Sequence, residues 1–228
     1  MRVLVTGSSG SLAQAIMVRL NAGHIDYVEY SHKANLADIN WGSIDAVINC
    51  AAVIPSVNAS VDDFYQGNVI FLQELLSFCL NKKFIQFSTF SELYRDDHYQ
   101  RSKMLANSLL IINSHILNKL EILSLPTLDD EQLISNIVSL IMKGESPVVD
   151  DLYYNYMSYD HVAKHVVDGL LSGSILPVSH SFIEKNLYSE VCKRVGGRSV
   201  VKGNSLDRSL KSNNIFTVCP NLIISNKS

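Results

Sequence analysis

The 228-residue chain is 47% hydrophobic and 18% charged, enough apolar material for one large α/β domain, or a main domain with a small appendage, and too much for wholesale disorder. Lysine and arginine number 19 against 22 aspartates and glutamates, and the resulting net charge of −3 gives no general electrostatic reason to bind nucleic acid or an anionic membrane. No basic segment precedes the first apolar run, no run approaches the roughly 20 residues of a membrane span, and Cys50, Cys79, Cys192 and Cys219 are scattered without a CxxC pair, so a cytoplasmic protein with reduced thiols and no metal site is expected.

Short apolar runs alternate with longer helical stretches, the pattern of a parallel sheet covered by helices. Arg2–Thr6 reads as the first strand. Leu12–Ala22 follows as a helix, with Leu12, Ala15, Ile16 and Leu20 at helical spacing. Tyr27–Tyr30 and Asp45–Asn49 read as strands, and Val61–Leu80 as one long helix with Phe64, Val69, Leu72, Leu75 and Leu76 on one face. Phe84–Phe87 is the next strand, Tyr99–Ile112 the next helix and Leu120–Ser124 a further strand. Beyond Pro126 the texture is mixed: helices are expected at Glu131–Met142, Asp160–Leu171 and Ser181–Val195, with brief strands at Pro147–Val149 and Leu176–Val178. The expectation is an α/β fold, a Rossmann-type doubly wound parallel sheet over residues 1–126 with a small mixed C-terminal lobe over 127–228.

Thr6-Gly7-Ser8-Ser9-Gly10-Ser11-Leu12-Ala13 joins the first strand to the first helix. Gly7 permits a tight turn, Gly10 lets the backbone approach a pyrophosphate, and the helix N-terminus offers amide hydrogens and a positive dipole end. Ala13 in the third small position still allows close helix–strand packing. Gly7, Ser9, Gly10, Ser11 and Leu12 are therefore candidate dinucleotide contacts. At the end of the second strand Glu29 can accept hydrogen bonds from the adenosine ribose, favouring NAD, whereas His32 and Lys33 can instead hold the 2′-phosphate of NADP. The balance leans to NAD and keeps NADP open.

Tyr99-Gln-Arg-Ser-Lys103 puts a phenol and an ammonium one helical turn apart. A tyrosine is a poor base at neutral pH, and a nearby cation favours its phenolate. The same lysine can hold a cofactor ribose hydroxyl, and the tyrosine can take or give the proton of a carbinol whose hydride leaves or joins. The strand before it ends in hydroxyls, Ser88-Thr89-Phe90-Ser91, at the end of the sheet where open α/β folds bind ligands. Ser88, Thr89 and Ser91 are candidates to bind a substrate oxygen.

With these features in order, the chain resembles the extended short-chain dehydrogenase/reductase family, in particular its nucleotide-sugar epimerases, dehydratases and reductases. Thr6-Gly-x-x-Gly-x-Leu-Ala13 resembles the family's fingerprint, and Asn49-Cys-Ala51-Ala52 its Asn/His-x-Ala-Ala segment beside the cofactor. Asn35-Leu36 takes the place of an Asp-Leu pair near the adenine. Gly67-Asn68-Val69, Leu125-Pro126-Thr127 and Tyr159-Asp160-His161-Val162-Ala163 resemble further family segments. The resemblance, over roughly residues 1–170, adds Asn35, Leu36, Ala51, Ala52 and Lys103 to the cofactor contacts. It makes Thr89, Tyr99 and Lys103 the catalytic residues, with Ser91 the runner-up to Thr89.

The chain departs from the family in four places. Phe90 occupies the ungapped position of the substrate-polarising hydroxyl, the loop before Tyr99 is short, the arginine before Pro126 is replaced, and the C-terminal lobe is shortened. The resemblance implies an NAD(P)-dependent oxidoreductase or epimerase acting on a nucleotide-activated sugar of polysaccharide biosynthesis, with no membrane or nucleic-acid partner and with a homodimer formed through the helices at 61–80 and 99–112. A dehydratase is disfavoured, because Phe90-Ser91 stands where dehydratases carry an Asp-Glu pair. The departures motivate a rival from another class, a non-catalytic dinucleotide-binding regulatory or scaffold protein on the same fold. His161 and His165, four apart on a helix, lack a third ligand and read as a helix-surface pair rather than a metal site.

Overall fold

In the computed structural model, which describes residues 1–32, 34–56, 58–90, 96–128, 131–173, 183–208 and 222–225, Arg2–Thr6 forms β1 and is buried from Val3 onward. A strand buried on both faces reads as continuous apolar sequence, and Val3-Leu4-Val5 does. It pairs in parallel with β2 (Asp26–Tyr30) on one side and β3 (Ala46–Asn49) on the other, and β3 pairs in parallel with β4 (Lys83–Thr89). With β5 (Lys119–Leu125) and an edge strand β9 (Leu222–Ser225), the order is β2-β1-β3-β4-β5-β9. The edge strand runs antiparallel to β5, with Ile223 opposite Glu121. Five parallel strands flanked by helices give the Rossmann-like architecture expected.

The order reverses between β1 and β3, so the crevice for ligands lies outside the carboxyl ends of these strands. The helix α1 (Ser11–Ala22) buries Ala13, Ile16, Met17 and Leu20. It is held to α6 (Tyr159–Ser172) by a two-pronged contact, Arg19 Nε and Nη2 donating to the two carboxylate oxygens of Asp160 at 2.9 and 2.6 Å. That pair is exposed, so it orients the helices more than it stabilises them. The core between the sheet and the helices gathers Leu4, Val47, Phe84, Leu120, Leu72, Leu75 and Leu110.

The helix expected over Val61–Leu80 runs without interruption to Leu76, as α2 (Val61–Tyr65), a π-turn at Gln66–Ile70 and α3 (Phe71–Leu76). Ser60 starts it through a capping box with Asp63. The π-turn brings Gly67 and Asn68 against Val53, a contact that outweighs regular helix geometry here. The helix ends at Leu76, four residues early, where Ser77 Oγ donates to the Glu74 carbonyl, and the chain turns through Asn81 at φ +56°.

Glu121, fully buried on β5, lies 2.6 Å from Lys119 Nζ and 3.8 Å from Lys83 Nζ. Burial pulls the Lys83 ammonium below the usual lysine range, and Glu121 opposes that pull. The cluster stands at the amino ends of β4 and β5, opposite the ligand crevice, so it belongs to the scaffold.

The chain divides into two compact units. Residues 1–124, α6 and β9 make the first, and the second is built on β6 (Val148–Tyr156), β7 (Ile183–Asn186), β8 (Val201–Asp207), α5 (Glu131–Met142) and α7 (Leu187–Arg194). In the second unit β6 lies between antiparallel β7 and parallel β8. Its core holds Ile134, Ile141, Val149, Tyr154, Leu187 and Val191.

Three sequence expectations change here. The brief strand at Pro147–Val149 is a nine-residue strand that takes in Tyr153, Tyr154 and Tyr156. The helix expected over Ser181–Val195 begins only at Leu187, because Ile183–Asn186 pairs with β6 and the Asn186 side chain caps the helix by accepting from Ser189 N–H at 2.8 Å. The strand expected at Leu176–Val178 lies outside the described residues. Among the described residues no helix is long and apolar enough to cross a membrane, and no group of three or more His, Cys, Asp or Glu side chains is placed to hold a metal ion. Cys50, Cys79 and Cys192 are free thiols, and burial pushes the Cys79 thiol up to about 12.

Candidate active site

A cleft of about 370 Å³ opens at the carboxyl ends of β1, β2 and β3. Its wall comprises Gly7, Ser9 and Gly10 from the turn after β1, Tyr30 to His32 after β2, and Cys50 to Val53 after β3, closed by Gly67 and Phe71. Gly7 has φ +64°, and a Cβ there would lie 2.7 Å from the Ala51 nitrogen and 2.8 Å from its Cα. Only glycine fits, since both the left-handed backbone and the contact with Ala51 forbid a side chain. Gly10 precedes α1 with no side-chain cap, which leaves the first-turn amides, including those of Ser11 and Leu12, without a capping side chain. Gln14 Nε2 braces the turn by donating to the Ser8 carbonyl at 2.5 Å, and Ser8 N–H donates to the Tyr30 carbonyl at 3.2 Å. Ser11 and Leu12 are not among the residues lining the cleft, which reaches the helix only at Gly10; a glycine cradle with an apolar wall of Val53 and Phe71 next to a helix N-terminus can accommodate a dinucleotide.

Behind the cleft a buried polar ladder crosses the sheet. Thr6 Oγ1 donates to Asn49 Oδ1 at 2.5 Å and accepts from Ala51 N–H at 3.3 Å; Asn49 Nδ2 donates to Gln86 Oε1 at 2.7 Å, and Gln86 Nε2 to the Phe87 carbonyl at 3.3 Å. All three side chains are buried, so each hydrogen bond offsets a desolvation cost that would otherwise count against the fold. The same Phe87 carbonyl accepts from Lys103 Nζ at 2.7 Å.

Lys103 lies on α4 (His98–Ile112), N-capped by Asp97, whose side chain accepts from Gln100 N–H at 2.8 Å. Lys103 is almost wholly buried, and Tyr99, one turn before it, is half-buried and packs its ring on Phe64 with centroids 5.8 Å apart. Asn68 connects this helix to the cleft. Its Oδ1 accepts from Val53 N–H at 2.7 Å, and its Nδ2 donates to the Val53 carbonyl at 3.1 Å and to Ser102 Oγ at 2.9 Å. Ser102 Oγ in turn donates to the Tyr99 carbonyl at 2.7 Å.

Of the residues singled out in the sequence, Gly7, Ser9, Gly10, Ala51 and Ala52 come together on the cleft wall. Glu29 and Asn35 do not join them. They line a separate depression with Arg2, Asp38 and Ser43, and the Asn35 side chain caps a short turn by accepting from Ala37 N–H. Leu36 is buried in the core. Thr89 is half-buried at the last position of β4, Ser88 accepts from Asn107 Nδ2 at 2.8 Å, and Phe90 is buried. Ser91 and Lys33 lie outside the described residues.

Sequence reasoning did not single out Gln86, the clamp made by Asn68, or the cleft residues Tyr30, Ser31, Val53 and Phe71. Gln86 carries a readable signal, a polar residue inside the apolar run Phe84-Ile-Gln-Phe87. Nothing in the sequence tells which backbone Asn68 grips.

Residues 3–122 match the NAD dependent epimerase/dehydratase family. The fold is similar to that of UDP-glucuronic acid 4-epimerase from Bacillus cereus, solved in complex with NAD, at 15% identity over 94% of this chain and 91% of that one, with a TM-score of 0.71. It is similar to a dTDP-4-dehydrorhamnose reductase from Clostridium acetobutylicum, at 15% identity, 96% and 92% coverage and a TM-score of 0.70. It is also similar to UDP-glucose 4-epimerase from Thermus thermophilus, solved in complex with NAD, at 17% identity, 95% and 92% coverage and a TM-score of 0.62. No curated protein matches the chain.

Proposed function

Because the chain belongs to the NAD dependent epimerase/dehydratase family, we propose that it is an NAD(P)-dependent oxidoreductase or epimerase acting on a carbinol or ketone of a nucleotide-activated sugar. The observation that carries this reading is the placement of Lys103, buried with its ammonium on the Phe87 carbonyl, on a helix that also bears Tyr99 and is tied through Ser102 and Asn68 to the wall of the glycine cleft. The solved relatives extend it: two of those described above hold NAD, and a further one holds UDP-glucose with NAD.

In the proposed reaction the nicotinamide, when bound, accepts or supplies the hydride. Tyr99 handles the proton. As phenolate it removes the carbinol proton while the hydride leaves carbon, and as phenol it returns a proton to the oxygen when a hydride is delivered. Lys103 stabilises the phenolate and holds a ribose hydroxyl of the cofactor, and Thr89, at the end of β4, orients the substrate oxygen. The first-turn amides of α1 take the pyrophosphate, with Gly7, Ser9, Gly10, Ala51 and Ala52 around it. The lobe beyond residue 126 is assigned to the substrate.

Turnover on a panel of nucleotide sugars, with wild type and Tyr99→Phe, tests the reading. Wild type should turn over at least one member, and Tyr99→Phe should lose at least roughly a hundredfold in kcat, the scale of general acid–base catalysis, while still binding the dinucleotide. Activity untouched by the substitution removes Tyr99 from the mechanism. Dinucleotide binding with no turnover of any sugar favours the non-catalytic reading, which the buried Phe90 in the hydroxyl's place motivates.

Val61 and Ile70, with Met104, Leu105, Ile111 and Ile112 of α4, are exposed apolar side chains. We assign them to a homodimer contact in which the two helical segments pair with their symmetry mates. Light scattering should give twice the chain mass; a clean monomer mass at working concentration refutes the assignment.

A further inference from the structure

Gln86 stands between the glycine cleft and the helix of Tyr99 and Lys103, and its role deepens the reading above, on which it rests. Thr6, Asn49 and Gln86 lie directly opposite one another on β1, β3 and β4, and their side chains form one hydrogen-bonded row across the sheet. The positions just before them, Val5, Ile48 and Ile85, are wholly buried and apolar. A parallel sheet covered on both faces needs no polar row, since branched apolar side chains fill such positions with no polar group to satisfy. Burying three polar side chains instead carries a desolvation cost that their hydrogen bonds only offset. The stability of the sheet therefore does not account for the row, and the place where the row ends does.

Gln86, 2% exposed, ends it by donating from Nε2 to the Phe87 carbonyl at 3.3 Å, the same oxygen that accepts from Lys103 Nζ at 2.7 Å. A carbonyl oxygen has two lone pairs and serves both donors at once. The Gln86 amide is itself fixed from behind, because its Oε1 accepts from Asn49 Nδ2 at 2.7 Å and Asn49 Oδ1 accepts from Thr6 Oγ1. An acceptor two residues from the end of β4 is thus held by a braced side chain. The Lys103 ammonium, 4% exposed, follows that acceptor, since an unmade hydrogen bond to a charged group is costly in the interior. Its charge acts on Tyr99, one helical turn before it, and weakens with distance. The other ionisable groups around that turn do not lean on Gln86. Asp62 and Asp63 of α2 and Asp96, His98 and Arg101 are exposed, Tyr65 packs edge-on to His98, and Asp97 caps α4.

We propose that Gln86 is a positioning residue: by holding the Phe87 carbonyl it places the Lys103 ammonium and so sets how readily Tyr99 gives up its proton. The experiment is an ultraviolet phenolate titration of the whole protein for wild type, Gln86→Met, Thr6→Val and Lys103→Met. Tyr99 is isolated in each by subtracting the curve of the same protein carrying Tyr99→Phe. Methionine keeps the length of glutamine and adapts to apolar surroundings, but it offers no amide. Lys103→Met marks the full effect of losing the ammonium, a rise of roughly 1–3 pH units in the Tyr99 midpoint. Gln86→Met should raise the midpoint by at least about half a pH unit, a part of that span. Thr6→Val cuts the far end of the row and leaves Gln86 on the Phe87 carbonyl, so it should lower the melting temperature with the midpoint unmoved. A midpoint unmoved by Gln86→Met overturns the proposal. So does an equal rise in Thr6→Val, because the change then follows the weakened sheet. Gln86→Leu carries the same test if methionine is not accepted; failure of both to fold, read by circular dichroism, assigns Gln86 to the sheet and overturns the proposal as well. If Lys103→Met itself leaves the midpoint where wild type has it, the Tyr99–Lys103 mechanism proposed above falls. If Lys103→Met moves it and Gln86→Met does not, that mechanism stands and only the role of Gln86 falls.

Discussion

Gly7→Ala should lower the melting temperature by roughly 6–12 °C and abolish measurable dinucleotide binding. At φ +64° an alanine pays the left-handed penalty of about 1–2 kcal/mol, and its Cβ would stand 2.7–2.9 Å from the Ala51 nitrogen, the Ala51 Cα and the Cys50 carbonyl carbon. Those are backbone atoms, so no rotamer relieves the overlap; the turn after β1 and the segment after β3 must separate. Together the two costs come to about 3 kcal/mol, and a chain of this size loses roughly 2–4 °C per kcal/mol. The separation also opens the cleft where the pyrophosphate is proposed to lie. Gly10→Ala is the control that divides packing from ligand approach. Its φ is −79° and its Cβ would meet only the Gly7 carbonyl oxygen, at 3.2 Å, so stability should change by less than about 1 kcal/mol. Dinucleotide affinity should still fall, because Gly10 lines the cleft. Thermal unfolding alongside NADPH and NADH titrations of both variants checks this. Unchanged stability in Gly7→Ala would show that the Ala51 contact can relax and that the turn tolerates a side chain.

The sheet was legible in the sequence wherever burial dictates composition. Val3-Leu4-Val5, Ala46-Val-Ile48 and Phe84-Ile85 with Phe87 are apolar because helices cover both sides of the sheet, and the strand positions agree with the observed ones to within a few residues. The π-turn at Gln66–Ile70 was not legible, since helical periodicity through Leu72, Leu75 and Leu76 continues across it and the cause, a clamp on Val53, is remote in sequence. β7 was missed for a related reason. Leu187, Val191 and Val195 set a helical period that extends backwards over Ile183–Asn186, but β6 offered those residues a strand partner.

For the candidate site, residues fixed by backbone geometry were the readable ones. Gly7 is glycine because the turn after β1 closes on the backbone of Cys50 and Ala51, and the cleft unites it with Gly10, Ala51 and Ala52. Residues whose role depends on side-chain direction were not readable. Glu29 and Tyr30 are neighbours on one strand, yet Glu29 lines only the outer depression whereas Tyr30 borders both that depression and the cleft.

Asn68→Leu should cost about 2–4 kcal/mol of stability and weaken dinucleotide binding about tenfold, the larger effect being on the fold. Leucine matches the volume but supplies neither donor nor acceptor. The Val53 N–H and carbonyl lose the amide that grips both, and Ser102 Oγ, wholly buried, loses the hydrogen bond it accepts. Each orphaned buried group costs about 1–3 kcal/mol, with Val53 at the lower end because it is only half-buried and water can reach it. The functional loss has two routes from one side chain. Val53 lines the cleft, so loosening it blurs the wall against which the dinucleotide is proposed to pack. Ser102 holds the Tyr99 carbonyl, so losing its partner frees the first turn of α4. Asn68→Asp separates the two. Its carboxylate can still accept from Val53 N–H but donates nothing to the Val53 carbonyl or to Ser102, so part of the cleft contact survives while the hydrogen bond that Ser102 accepts is lost. Denaturant unfolding with dinucleotide titration for both variants reads the outcome. Asn68→Asp should retain more affinity than Asn68→Leu at comparable loss of stability. Equal affinities in the two variants and in wild type would mean that the clamp supports the fold without shaping the cleft.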